Sequence, residues 1–183
     1  DSVSVEIVEF SSGKDVNTAL AAGSIDFGLE GSCPASLAIA QDLGVELIWI
    51  HEVLGDVESL VATGTSGINT VADLKGKKVA VPFASTAHFS LLKAMENAGL
   101  SASDVTVLDM QPDKIYASWN SGDIDAAYIW EPTLSQLSNK KTVITSGELA
   151  KAGYMTSNVE VVRTKFAEAH PDIVAAYVKA LDK

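Results

Sequence analysis

Between Lys78 and Leu100 the apolar pattern switches from that of a strand to that of a helix, and this switch limits what the chain can build. Val79 to Val81 is a β-branched run suited to a buried strand. Pro82 and the small polar residues Ser85 and Thr86 follow, with His88 just beyond. Leu91, Met95 and Ala98 then share one helical face, and Gly99 is a natural C-terminal stop. A strand that delivers hydroxyl residues to a helix start makes a place for an anion. The first-turn N–H groups there lack partners, and the helix dipole adds partial positive charge. The same residues also read as a plain N-cap.

The pattern recurs. Ile25 to Leu29 reads as a strand, Gly31-Ser32-Cys33-Pro34 as a turn, and Ala35 to Ala40 as a helix with Pro34 in its first turn. Further strands are expected at Val3–Val8, Val45–Val53, Glu58–Ala62, Val105–Leu108, Ala126–Ile129, Thr142–Thr145 and Val159–Val162. Helices are expected near Val16–Ala21, Pro112–Asn120, Thr133–Leu137, Lys165–His170 and Pro171–Leu181. This alternation predicts an α/β fold with mainly parallel sheets. Ala22-Gly23-Ser24-Ile25-Asp26 and Ser121-Gly122-Asp123-Ile124-Asp125 echo each other, each leading through a strand to a helix start, which suggests two lobes on one plan.

Charge narrows the partners. Acidic residues outnumber basic ones 24 to 13, for a net charge of −11, and no basic cluster occurs, which disfavours nucleic acid. Any anion site must therefore use backbone N–H groups, hydroxyls and helix ends. One cysteine, Cys33, rules out a disulfide within the chain, and no apolar run is long enough to span a bilayer as a helix. The start at Asp1 in a strand-like alternation and the end at Lys183 beside a helix lead us to expect a chain truncated at both ends.

Several segments in order carry a resemblance: Ser12-Gly13, Leu20-Ala-Ala-Gly-Ser-Ile-Asp26, Gly31-Ser-Cys-Pro34 and Leu74 through Leu92. Gln111-Pro112, Gly122 through Pro132 and Val161-Val-Arg-Thr-Lys-Phe166 continue it. Together they resemble the solute-binding proteins of bacterial ABC importers for taurine and other alkanesulfonates, and Ser85-Thr86-Ala87-His88-Phe89-Ser90 is similar to the taurine-binding branch. The resemblance implies a two-lobed periplasmic-binding-protein fold of type II, with residues 1–65 and 159–183 in one lobe and 66–158 in the other. It also implies a monomeric, non-enzymatic receptor outside the cytoplasm, without a cofactor, that clamps a small sulfonate for membrane permease subunits.

On the resemblance, Ser85, Thr86 and His88 would cradle the sulfonate, His88 either donating or merely packing. Ser32 and Cys33 would face them from the other lobe, although a thiol is a poorer donor than the family's serine and Cys33 also reads as an inert buried thiol. Trp130 and Glu131, at a strand end, would suit an ammonium group, with Gln111 a further polar contact. Asn158 stands where the taurine branch carries an aspartate, so either Glu131, Glu58 or Glu160 balances an amine or the ligand differs from taurine. Two other readings share the fold: a sensory module for a small zwitterion or organic anion, and an enzyme similar to the pyrimidine synthases of thiamine biosynthesis. The second needs a cysteine-rich motif, a lysine and histidines, against one cysteine and three scattered histidines here.

Overall fold

The computed structural model describes residues 3–182. In chain order the elements are α1 (Gly13–Ala22), β1 (Phe27–Gly31), α2 (Ser32–Ala40), β2 (Val45–Val53), β3 (Glu58–Thr63), β4 (Lys78–Val81), α3 (Thr86–Asn97), β5 (Thr106–Asp109) and α4 (Pro112–Ser121). There follow β6 (Ala126–Trp130), α5 (Thr133–Gln136), β7 (Lys140–Thr145), α6 (Ser146–Lys151), β8 (Ser157–Arg163), α7 (Thr164–Ala169) and α8 (Pro171–Leu181), with a 3-10 turn at Val71–Leu74.

The strands form two sheets, in the order β1-β8-β2 and β5-β4-β6-β3-β7. The five-stranded sheet is covered on both sides. Leu60, Ala62, Val79, Val81 and Tyr128 face one core with Leu91 and Met95 of α3, while Val61, Ala80, Ala127 and Ile129 face another with Ile115 and Trp119 of α4. Double coverage explains why these strands are continuous apolar runs rather than alternating ones. The three-stranded sheet packs one face on α1 and α2 through Val16, Leu20, Ala35, Ala38, Val159 and Val161. On its other face Phe27 packs edge-on against Phe166 of α7 and at a tilt against Tyr177 of α8, while Leu29 is left 56% exposed.

Three sequence expectations change. The first is strand direction: β1 and β2 both pair antiparallel with β8, and β3 pairs antiparallel with β6 and β7, so only β4 makes parallel ladders, with β5 and β6. The returning strands β3 and β8 carry the same apolar pattern as parallel ones, which hides their direction. Second, Glu58–Thr63 pairs in the five-stranded sheet and Ser157–Asn158 in the three-stranded one, so the lobe boundaries fall earlier than 65 and 158. Apolar runs do not reveal which sheet they join. Third, Val3–Val8 forms no strand, and Val3, Val5 and Ile7 are 62%, 75% and 91% exposed. Alternation alone does not make a strand without a ladder partner.

The chain passes between the sheets twice, along residues 54–57 and 152–156, and the Leu54 N–H donates to the Thr156 carbonyl at 2.8 Å where the two segments meet. The internal echo is real at atomic detail. Gly23 and Gly122 adopt φ 71° and 78°, and each closes its helix with the same pair of bonds. These run from Gly23 to Leu20 and Ser24 to Ala19 in one case, and from Gly122 to Trp119 and Asp123 to Ser118 in the other.

Candidate functional site: a cleft between the sheets

A cleft of about 380 Å³ lies between the two halves. Three helix starts reach it: Ser12 and Gly13 at α1, Gly31 and Pro34 at α2, and Ser85 and Thr86 at α3. The halves approach closely there, since a Cβ at Gly31 would lie 2.7 Å from Thr86 Cγ2. Glu30, Glu52, Glu58 and Glu131 also line the cleft, and among the described residues that line it none is Lys, Arg or His. Any positive potential offered to an anion there must therefore come from backbone N–H groups and helix dipoles.

The α3 start is built by a buried polar network. Glu58, 1% exposed, accepts from Thr86 Oγ1 at 2.5 Å and from Ser146 Oγ at 2.7 Å. Ser146 spends its one proton on Glu58, so Tyr128 O–H must donate to Ser146 Oγ across 3.0 Å. Burial pushes the Glu58 carboxyl above its usual range, and the two hydroxyl donors partly oppose this. Ser85 is a true N-cap: its hydroxyl donates to the Pro82 carbonyl at 2.6 Å and accepts from the His88 N–H at 3.1 Å. The Phe89 N–H goes to the Ser85 carbonyl, leaving the N–H groups of Thr86 and Ala87 without intrahelical partners.

Of the residues singled out from sequence, Ser85, Thr86, Glu58, Trp130, Glu131 and Asn158 line the cleft. Ser32, Cys33, His88 and Gln111 do not, and each has a physical reason. The Ser32 hydroxyl turns away to accept from the Ser157 N–H at 3.2 Å. Cys33 is half-buried, and burial together with the charge of Glu58 pushes its thiol up to about 11. His88 packs: its ring stacks on Phe83 at 4.3 Å and its Nδ1 accepts from the Ala84 N–H at 3.3 Å. Burial lowers the His88 pKa, with Asp109 opposing. Gln111 sits at the start of α4 with its side-chain oxygen buried and unpartnered.

The acids differ as well. Glu131 is exposed, and its carboxylate accepts from the Ser135 N–H at 2.9 Å and the Ser135 hydroxyl at 2.7 Å, which ties it to its own short helix. Asn158 donates to Glu52 at 3.0 Å. Glu160 is engaged by His51 at 2.9 Å and Tyr177 at 3.0 Å and does not line the cleft. Sequence reasoning missed Glu30, which is 5% exposed on the cleft wall, because the inward positions of β1 are Gly28 and Glu30 while the apolar Leu29 points out.

The family model for NMT1/THI5-like proteins matches residues 1–183. The chain belongs to the NMT1/THI5-like family. It is 40% identical to the taurine-binding periplasmic protein of Escherichia coli strain K12, over 94% of this chain and 53% of that protein. Among solved structures, it matches the periplasmic aliphatic sulphonate binding protein SsuA from Escherichia coli with a TM-score of 0.80 at 28% identity, over 95% of this chain and 60% of that one. The alkanesulfonate-binding protein SsuA from Xanthomonas axonopodis pv. citri, bound to MOPS, matches with a TM-score of 0.77 at 27% identity over the same shares. The chain therefore has the two-lobed fold of periplasmic binding proteins, and it spans about half the length of the relatives it matches.

Proposed function

We propose that this chain forms the ligand-binding cleft of a receptor that serves an ABC importer outside the cytoplasm, holding a small sulfonate such as taurine between two lobes. One lobe comprises the three-stranded sheet with α1, α2, α7 and α8; the other comprises the five-stranded sheet with α3 to α6. The observation that carries this reading is the convergence of three helix starts on a cleft without a cationic side chain. A sulfonate is a weak base with three acceptor oxygens, suited to several fixed N–H donors. The relatives' names, taurine-binding and alkanesulfonate-binding, support the same ligand class.

Closure of the lobes would be coupled to ligand by contacts across the cleft, with residues 54–57 and 152–156 as the hinge, and the closed form would be what the permease subunits recognise. A receptor rather than an enzyme is supported by the relatives, which are named as taurine-binding and alkanesulfonate-binding proteins. Calorimetry with taurine, ethanesulfonate, sulfate and glycine tests the reading. Saturable binding of the sulfonates, with sulfate and glycine at least tenfold weaker, is expected. Binding of none of the sulfonates overturns it.

A further inference from the structure

We propose that Glu30 receives the positively charged end of the ligand, so that the cleft selects amino-sulfonates over plain alkanesulfonates. The assignment rests on the sulfonate reading above and deepens it. Glu30 is nine-tenths buried or more, at 5% exposure, yet it lines the cleft, and neither carboxyl oxygen has a hydrogen-bond partner. The other three acids on the walls are engaged: Glu58 by Thr86 and Ser146, Glu131 by Ser135, and Glu52 by Asn158. Among the lining acids, Glu30 alone has its full acceptor capacity to offer.

Its position fits an end-to-end arrangement. Glu30 precedes Gly31, whose Cα faces the Thr86 methyl, and its Oε2 lies 3.2 Å from where a Cβ on Gly13 would be. The carboxyl therefore lies beside the start of α1, next to Pro34 of α2, and lines the same cleft as Ser85 and Thr86 at the start of α3. A two-carbon amino-sulfonate would place its anion on first-turn N–H groups and its ammonium on this acid. Unpaired, a buried carboxyl is costly when ionised, and a ligand ammonium supplies the missing partner.

Burial raises the Glu30 pKa from 4.5 to about 8, so near neutrality the empty cleft holds it as the neutral acid. Glu58, Glu52 and Glu131 around the cleft, Asp15 beside Ser12 on α1, Cys33 on α2 and Glu160 on β8 are all acidic groups, and Lys14 on α1 is solvent-exposed. Among the described residues that line the cleft there is no cation that would keep Glu30 ionised without ligand, and His51 and Arg163 on the neighbouring strands are engaged by Glu160 and Asp26. Pairing with an ammonium ionises it, and the carboxyl proton leaves to bulk solvent. Binding of an amino-sulfonate should therefore release close to one proton near pH 7, and binding of ethanesulfonate should not.

The test is titration calorimetry of wild type, Glu30→Gln and Glu30→Asp with taurine and ethanesulfonate, at pH 7, in two buffers of different ionisation enthalpy. Melting curves confirm that each variant is folded. Taurine is expected to bind wild type with release of close to one proton. Glu30→Gln is expected to weaken taurine at least about 30-fold and abolish the release, while ethanesulfonate changes less than about threefold. Glu30→Asp should fall between. Taurine affinity within about twofold in Glu30→Gln, equal losses for both ligands, or no proton release by wild type each overturns the assignment of Glu30 but leaves the sulfonate reading standing. Failure of wild type to bind either ligand overturns both.

Discussion

The Thr86 hydroxyl donates to Glu58 Oε2 at 2.5 Å and so locks the first residue of α3 to the first residue of β3. A buried carboxyl and a helix start that faces the cleft are thereby a single unit. Thr86→Val keeps the shape but removes this donor, leaving Glu58 with Ser146. A loss of about 1–3 kcal/mol in unfolding free energy by urea titration is expected, with Thr86→Ser close to wild type. Equal stabilities for the Val and Ser variants would show that the bond contributes nothing.

Glu30 also makes stability depend on pH. Its folded pKa of about 8 lies above the ordinary 4.5, so the folded state binds more protons than the unfolded one between those values. Its contribution is therefore fully present below about pH 4.5 and is lost as pH rises through about 8, with a slope of at most about 1.4 kcal/mol per pH unit. Urea titrations of wild type and Glu30→Gln without ligand, from pH 5 to pH 9, should show the difference falling with pH and levelling at the top of the range. A flat difference would mean that Glu30 titrates like an exposed acid.

Ala84 precedes the Ser85 cap with φ 63°, a conformation that disfavours any side chain with a Cβ. Ala84→Gly is expected to raise stability by up to about 1 kcal/mol, the relief of strain outweighing the added freedom of the unfolded chain. A lowered melting temperature would show that the turn tolerates alanine without strain.

At Gly31 the opposite holds. A Cβ there would meet Thr86 Cγ2 at 2.7 Å, and Thr86 is tied to Glu58 and cannot yield cheaply. Gly31→Ala should keep the halves apart, weakening ligand at least tenfold and costing about 1–3 kcal/mol of stability. Wild-type affinity in this variant would place the closed contact elsewhere.

The single thiol gives a chemical check. A Cys33 pKa raised from 9.0 to about 11 cuts its thiolate about 100-fold, and the greater nucleophilicity of a more basic thiolate restores about tenfold. Alkylation of the folded protein at pH 7.5 should therefore run about tenfold slower than that of a free cysteine. Reaction at the free rate would mark Cys33 as an accessible and ordinary thiol.

Local patterning makes some of this architecture legible. The helix stops at Gly23 and Gly122, the strand-to-helix turn around Ser85 and the pairing of Trp130 with a strand end all follow from short-range rules, and the structure has them. The antiparallel return of β3 and β8 is not legible, because direction is set by long-range pairing. The α6 start is a missed local signal: Thr145 and Glu148 form a capping box whose spacing stands in the sequence. In the cleft, residue type alone identifies Thr86 and Glu58 but not that they bond each other, and Glu131 looks like a free acid until Ser135 is seen to hold it. Glu30 escapes notice for the converse reason. A glutamate beside a leucine on a strand is normally the exposed partner, and here the order is inverted.

Gly23 and Gly122 close the same turn with the same bonds, one in each half of the molecule. Alanine at either position imposes nearly the same local penalty, so the molecule contains its own matched pair of probes. If the two variants lower one shared melting transition equally, the halves unfold as one cooperative unit. If each splits off a different transition, the halves are separate foldons, and ligand holds them together by mass action.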